Sequence, residues 1–194
     1  MARIGKKTAE AGAKPANRLR IIGGRWRGVP LQFPDVEGLR PTPDRVRETL
    51  FNWLQFQIRG ARCLDLFAGS GALGIEALSR GAEYAAFVDR EPRAGQRLTQ
   101  TLARLGATAN AAVYVEEAVR FLRREPQPFD VVFLDPPFAS GLLAEACAAL
   151  EAGWLAREAW VYIECPADAG LPALPAGWSV HRTKRAGQVG YHLL

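Results

Sequence analysis

Residues 63–82 read C-L-D-L-F-A-G-S-G-A-L-G-I-E-A-L-S-R-G-A, and the hydrophobic period changes in the middle of this stretch. Cys63 to Phe67 is a short apolar run interrupted only by Asp65, whereas Ala72 to Leu78 repeats its apolar residues at helical spacing. Gly69, Ser70 and Gly71 lie between. A strand, a tight glycine turn and a helix start are predicted, a geometry that offers free backbone N–H groups and a positive dipole end to a ligand. The helix stops at Gly81.

Downstream, the same alternation repeats. Strands are predicted over Tyr84–Val88, Ala111–Val115, Phe129–Leu134 and Trp160–Glu164, and helices over Pro92–Leu105, Ala118–Arg124 and Leu142–Leu150. Phe129–Leu134 shows no alternation, as in a strand buried on both faces. Trp178–Leu194 reads as a terminal hairpin around Gly187. Strands alternating with helices imply an α/β fold with a doubly wound, mostly parallel sheet and a ligand crevice at the strand C-terminal ends.

Upstream, Arg18–Phe33 holds two β-prone runs around glycines, a hairpin whose turn carries Arg25, Trp26 and Arg27. Trp26 serves either as a stacking platform for a base or as the apolar pin that fastens the hairpin to the body. Arg40–Ile58 opens with a helix signal: Thr42 as N-cap, Pro43 at the first helical position, Asp44 beside the dipole. Val46, Leu50, Trp53, Leu54 and Ile58 form its apolar stripe, with Arg45 and Arg47 expected elsewhere on the circumference, free for a phosphate. The chain thus divides into a disordered basic tail (1–17), a hairpin appendage (18–39) and a main domain (40–194).

The net charge of +5 is unevenly placed. Residues 1–60 hold 12 Arg/Lys against 5 Asp/Glu, and the remainder 13 against 15. Such asymmetry suits a polyanion-binding arm on a nearly neutral body. Arg18, Arg20, Arg25, Trp26, Arg27, Arg40 and Arg45 are the candidate contacts to a nucleic acid, guanidinium groups meeting phosphates and the indole stacking on a base. No apolar run reaches the ~20 residues of a membrane span, and the N-terminus lacks an apolar signal core, so a cytoplasmic, monomeric enzyme with no membrane partner is expected. Cys63, Cys147 and Cys165 are far apart and set in apolar segments, as buried thiols rather than disulfides or metal ligands.

Acidic residues recur at one address. Asp65, Asp89, Glu117 and Asp135 each follow an apolar strand, so they are expected around one rim. They are spread over four strands rather than clustered, which argues against a metal site. Gly69-x-Gly71-x-x-Gly74, with Asp89 twenty residues on, satisfies the dinucleotide fingerprint, but Asp65 beside the turn would repel a pyrophosphate. It would favour a sulfonium and an amino group, hence S-adenosylmethionine: Asp65 near the amino-acid end, Asp89 for the ribose, Glu117 near the adenine. Asp135-Pro136-Pro137-Phe138 presents acceptors without N–H donors, suited to the two hydrogens of an amine, beside a ring for a planar base.

Four strings in order carry a family resemblance: R-I-I-G-G-R-W-R-G from Arg20, R-P-T-P-D-R-V-R-E-T-L-F-N-W-L from Arg40, Asp65-x-Phe67-x-Gly69-Ser70-Gly71, and Asp135-Pro136-Pro137-Phe138. Together they resemble the bacterial RsmD-type methyltransferases, which methylate N2 of a guanine (guanine 966 in the family's name) in small-subunit 16S ribosomal RNA. The resemblance spans about residues 18–194. It implies a Rossmann-like class I S-adenosylmethionine-dependent methyltransferase with a seven-stranded, mostly parallel sheet, a terminal antiparallel hairpin and an N-terminal β-hairpin. It further implies that Gly69, Ser70 and Gly71 cradle the methionine part of the cofactor with Asp65 nearby, and that Thr42 and Phe51 close over it. Asp89 would hold the ribose, and Glu117 the adenine end, where such enzymes usually carry Asp or Asn. Asp135, Pro136, Pro137 and Phe138 would hold the target amine and its base, in RNA that is naked or part of an assembling 30S subunit. Three rival readings stay open: an adenine-N6 methyltransferase, a nicotinamide oxidoreductase, and a non-catalytic RNA-binding protein on the same fold.

Overall fold

The computed structural model describes residues 18–32 and 42–194. The tail (1–17), Arg40 and the end of the expected hairpin segment (33–39) lie outside the described residues. Strands β1 (Arg18–Arg20) and β2 (Pro30–Gln32) pair antiparallel, with a 3-10 turn at Gly24–Trp26 between them. Helix α1 (Asp44–Trp53) leads into the alternating unit β3 (Arg62–Asp65), α2 (Ala72–Ser79), β4 (Tyr84–Asp89), α3 (Pro92–Arg104), β5 (Ala111–Val115), α4 (Ala118–Phe121), β6 (Phe129–Leu134), α5 (Leu142–Leu150) and β7 (Leu155–Pro166). Strands β8 (Arg182–Ala186) and β9 (Val189–Leu193) form the terminal hairpin.

The seven-stranded sheet has the order β5-β4-β3-β6-β7-β9-β8. Its first five strands are parallel, and β9 enters antiparallel between β7 and β8. Successive side chains of a strand point to opposite faces. Cys63, Phe87, Val131, Phe133 and Tyr162 accordingly join α1, α2, α3 and the β1–β2 hairpin in one core, while Leu64, Val88, Val132, Leu134 and Ile163 join α4 and α5 in the other. Gly74 lets α2 lie against β4: a Cβ there would meet the Phe87 ring at 2.3 Å. All three cysteines are buried and unpaired.

Four expectations about local structure are corrected. Helix α1 begins at Asp44, with Pro43 in the N-cap position and no side-chain cap, because the Thr42 hydroxyl is drawn to two buried carboxyls instead. Arg47 is not free: it is fully buried, held by Asp44, Glu76 and the carbonyls of Arg20 and Thr42. The fifth strand of the parallel set runs over Leu155–Pro166 rather than Trp160–Glu164, because a register shift opposite Phe129–Val131 lets it continue through polar residues. The terminal hairpin starts at Arg182, not Trp178, whose indole N–H instead donates to Glu151 at 2.7 Å.

Candidate active site

Because β4, β3 and β6 are adjacent and parallel, their C-terminal ends share one rim. Asp65 and Asp89 end β3 and β4, and Asp135 follows β6. The loop after β3 is pinned to both neighbours: the Leu66 N–H donates to Phe133 (3.2 Å) and the Ala68 N–H to Val88 (2.9 Å). It then turns through Gly71, whose φ of +73° suits glycine, into the first turn of α2. Gly69 and Asp135 are thereby on the same rim.

Two carboxylates hold the glycine turn from beneath. Asp89 accepts from the N–H groups of Gly69 (2.7 Å) and Glu91 (2.8 Å), one on each oxygen. Asp65 accepts from Gly74 (3.0 Å), satisfying one of the free N–H groups in the first turn of α2. Asp65 is 3 % exposed. Burial pushes its pKa up to about 7, the Gly74 N–H opposes this, and the Asp89 charge adds to it.

On the other side of the crevice, Leu134 pairs with Ile163, which places Asp135 level with Glu164 of β7. Thr42, 5 % exposed, bridges them, its hydroxyl 2.9 Å from Glu164 Oε1 and 3.4 Å from Asp135 Oδ2. Tyr162 donates to the same Glu164 oxygen at 2.8 Å. Asp135 keeps part of its surface open to the crevice, yet its carboxyl lies deep enough that burial raises its pKa well above the ordinary range, with the charges of Glu164 and Asp65 adding to the rise. Burial raises Glu164 as well, opposed by the Tyr162 and Thr42 hydroxyls. Among the described residues, none of the influences on these three carboxyls is a neighbouring cation. The rim is therefore acceptor-rich and favours a ligand that brings positive charge or N–H donors.

After Asp135, Pro136 is buried and Pro137 exposed. The Pro137 carbonyl accepts from Ser140 at 2.9 Å, whereas the Pro136 carbonyl takes no backbone donor among the described residues. Phe138, 44 % exposed, opens a 3-10 turn and offers its ring to the solvent. Glu117 is exposed at the N-cap of α4, with no side-chain cap bond. Ser70 is half-buried in the glycine turn. Phe51 has no exposed surface, its ring 6.0 Å from that of Phe133 between centroids and 5.0 Å from the Arg80 guanidinium.

The basic candidates of the hairpin tip lie away from the crevice. The hairpin is clamped along α2: the Ile22 and Gly23 N–H groups donate to the two oxygens of Glu76 (2.8 and 2.7 Å), the Trp26 N–H donates to Ser79 Oγ (3.0 Å), and that hydroxyl donates to the Gly23 carbonyl (2.6 Å). Its tip is at the far end of α2 from the crevice, roughly 12 Å for eight residues. There Arg25 and Arg27 are exposed, and Arg25 covers the half-buried Trp26 ring at 4.5 Å. Trp26 therefore packs on the core and carries a cation. A groove of about 510 Å³ opens beside it, lined by Arg25, Trp26, Arg59 and Arg80 among others. Arg20 and Arg45 are exposed, and the Arg20 guanidinium donates to the Gly28 carbonyl.

Sequence reasoning missed two residues. Glu164 closes the apolar run predicted as a strand over Trp160–Glu164, just as Asp65, Asp89 and Asp135 close or follow theirs, and the same signal applied there finds it. Glu76 had no signal: a carboxylate inside an apolar helix reads as surface until its partners, more than fifty residues away, are known.

A family model described as "Conserved hypothetical protein 95" matches residues 19–194. Ribosomal RNA small subunit methyltransferase D of Escherichia coli (strain K12) is 54 % identical over 179 residues, 92 % of this chain and 90 % of the relative. The Haemophilus influenzae protein of the same name is 42 % identical over 192 residues, 97 % of this chain and 98 % of its own. The solved structure of the Escherichia coli yhhF protein superposes with a TM-score of 0.85 at 51 % identity, covering 91 % of this chain and 97 % of that one.

Proposed function

The chain belongs to the conserved hypothetical protein 95 family, with ribosomal RNA small subunit methyltransferase D among its relatives, and from that membership we propose that it methylates the exocyclic N2 of a guanine in 16S ribosomal RNA. By the resemblance, the target is guanine 966. The methyl donor is S-adenosylmethionine, which supplies an electrophilic methyl group on a sulfonium. The rim fits such a donor, since three buried carboxyls face a common crevice with no opposing cation acting on them among the described residues. Gly69, Ser70 and Gly71 would hold its methionine part, with Asp65 and Thr42 nearby, Asp89 its ribose and Glu117 its adenine end.

The observation that carries the reading is the placement of Asp135 and the Pro136 carbonyl on the same rim as the glycine turn, with that carbonyl free of backbone donors among the described residues. Two acceptors at one point hold both hydrogens of an amine and aim the nitrogen lone pair. That lone pair is otherwise delocalised into the guanine ring, so holding the nitrogen pyramidal is where the chain contributes, by positioning and by electrostatics. The base leaves its stack to enter, resting on the exposed Phe138. The protein works on RNA in the cytoplasm as a monomer, on 16S RNA that is naked or part of an assembling 30S subunit.

The test offers naked 16S RNA, protein-bound RNA and 30S particles to the full chain with methyl-labelled cofactor, then maps the label. A mark on guanine N2 is expected. A mark on adenine N6 would select the nearest rival, and no transfer to any substrate would overturn the reading. Asp135→Ala is expected to lower transfer at least about a hundredfold while S-adenosylhomocysteine affinity, by calorimetry, changes little.

A further inference from the structure

Glu164 is buried to 3 % exposure, charged chemistry inside a core, and the reaction as set out above makes no use of it. Its setting is specific. It stands level with Asp135 on the neighbouring strand, shares the Thr42 hydroxyl with it, and receives a second hydroxyl from Tyr162 on the same oxygen. Two carboxyls this close in a buried site do not both ionise readily. The one that gathers more donors keeps the charge, and that is Glu164.

We propose that Glu164 is a positioning residue for methyl transfer, acting through Thr42 as the second half of a one-proton carboxyl pair that sets the charge on Asp135. The inference rests on the reading that Asp135 grips the target amine. With one proton on the pair, Asp135 is the acid and Glu164 the anion. Asp135 passes its proton to Thr42 Oγ1 as the Thr42 hydrogen passes to Glu164 Oε1: an O–H bond breaks at Asp135, one is exchanged at Thr42 and one forms at Glu164. Asp135 is then the carboxylate that faces the amine. When N2 has taken the methyl group it carries a positive charge, and one N–H bond breaks, its electron pair returning to nitrogen and its proton to Asp135. The pair ends with two protons and sheds one to solvent.

Titratable and hydroxyl groups reach the pair from several elements. Asp65 comes from β3, Tyr162 and Cys165 from β7, Tyr191 from β9 and Thr42 from the segment before α1. Burial raises the Asp135 and Glu164 carboxyls together, in keeping with a shared proton.

The experiment is the pH profile of kcat/KM for RNA at saturating S-adenosylmethionine, for the wild type, Glu164→Gln and Tyr162→Phe. Removing the neighbouring charge lets Asp135 ionise alone, so the acid limb of Glu164→Gln moves down by about one pH unit or more. Removing the Tyr162 donor makes the pair harder to ionise, so the limb of Tyr162→Phe moves up. A role confined to folding lowers rates at every pH without opposite displacements. Asp65 is unchanged in both variants, so a limb that stays at the wild-type position in both belongs to Asp65 and overturns the inference. Asp135→Asn separates the two levels. If it turns over normally, the amine-gripping reading fails and this inference with it, whereas a dead Asp135→Asn with unmoved limbs condemns the inference alone.

Discussion

At Asp65 a buried carboxyl holds the first turn of α2 through a single N–H while its pKa stands at about 7, above the ordinary value of 3.8. The native state therefore binds a proton that the unfolded chain has already lost. Stability from this group is complete below about pH 4 and declines as pH rises through 7. The decline is on the order of a few kcal/mol, because each tenfold difference in proton affinity between the folded and unfolded chain is worth about 1.4 kcal/mol. Asp65→Asn, which keeps an acceptor for Gly74, should flatten it: urea unfolding at pH 5 and pH 8 will show a smaller difference in the variant than in the wild type. At this scale the sequence was readable where a rule of position applied. An acid closing an apolar strand marked Asp65, Asp89 and Asp135, and the same rule would have reached Glu164. Arg47 was not readable, because helical periodicity assigns burial by hydrophobicity and a buried ion pair leaves no periodic trace.

Among the elements, the hairpin and α2 behave as one unit joined by Glu76. One carboxylate takes two amides of the hairpin's turn, those of Ile22 and Gly23, and two guanidinium groups, those of Arg47 and Arg80. Arg47 in turn donates to the Thr42 carbonyl, so the clamp also fixes the backbone that presents the Thr42 hydroxyl to the carboxyl pair. Glu76→Ala removes one of the two carboxylates that hold the buried Arg47 and the acceptor of the Ile22 and Gly23 amides, and each buried donor left unsatisfied costs about 1–3 kcal/mol. It should lower the Tm and expose residues 20–27 to trypsin, with cleavage after Arg20, Arg25 or Arg27 as the readout. The hairpin itself was legible in two β-prone runs around glycines, and so were the strand–helix alternation and, with the family resemblance, the seven-stranded sheet. Its fastening was not, since the contacts join residues more than fifty positions apart. Where the helical stripe was legible, the cap was not: Thr42 has the chemistry of an N-cap, and tertiary hydrogen bonds outcompeted that role.

Over the whole molecule, the crevice and the exposed arginines of the hairpin tip lie at opposite ends of α2, so a substrate that uses both must span roughly the length of that helix. A polyanion longer than a single nucleotide does so readily. Residues 1–17 add Arg3, Lys6, Lys7 and Lys14 against Glu10 alone. Removing them takes away none of the described elements, whereas a cut at residue 27 would remove β1, part of the packed body. The shortened chain should bind 16S RNA more weakly, with a smaller slope of log K against log salt by fluorescence titration, since each phosphate contact contributes about 0.7–0.9 to that slope. An unchanged slope would make those residues mere solvated charge. The placement of β9 also bears on how the protein is made. β9 is last among the described strands in the chain but interior in the sheet, and β8 reaches the sheet only through it. On the ribosome, residues 182–186 must wait without a partner until 189–193 emerge, and a premature stop at codon 188 would strip two strands from the sheet and uncover the edge of β7 that carries Glu164.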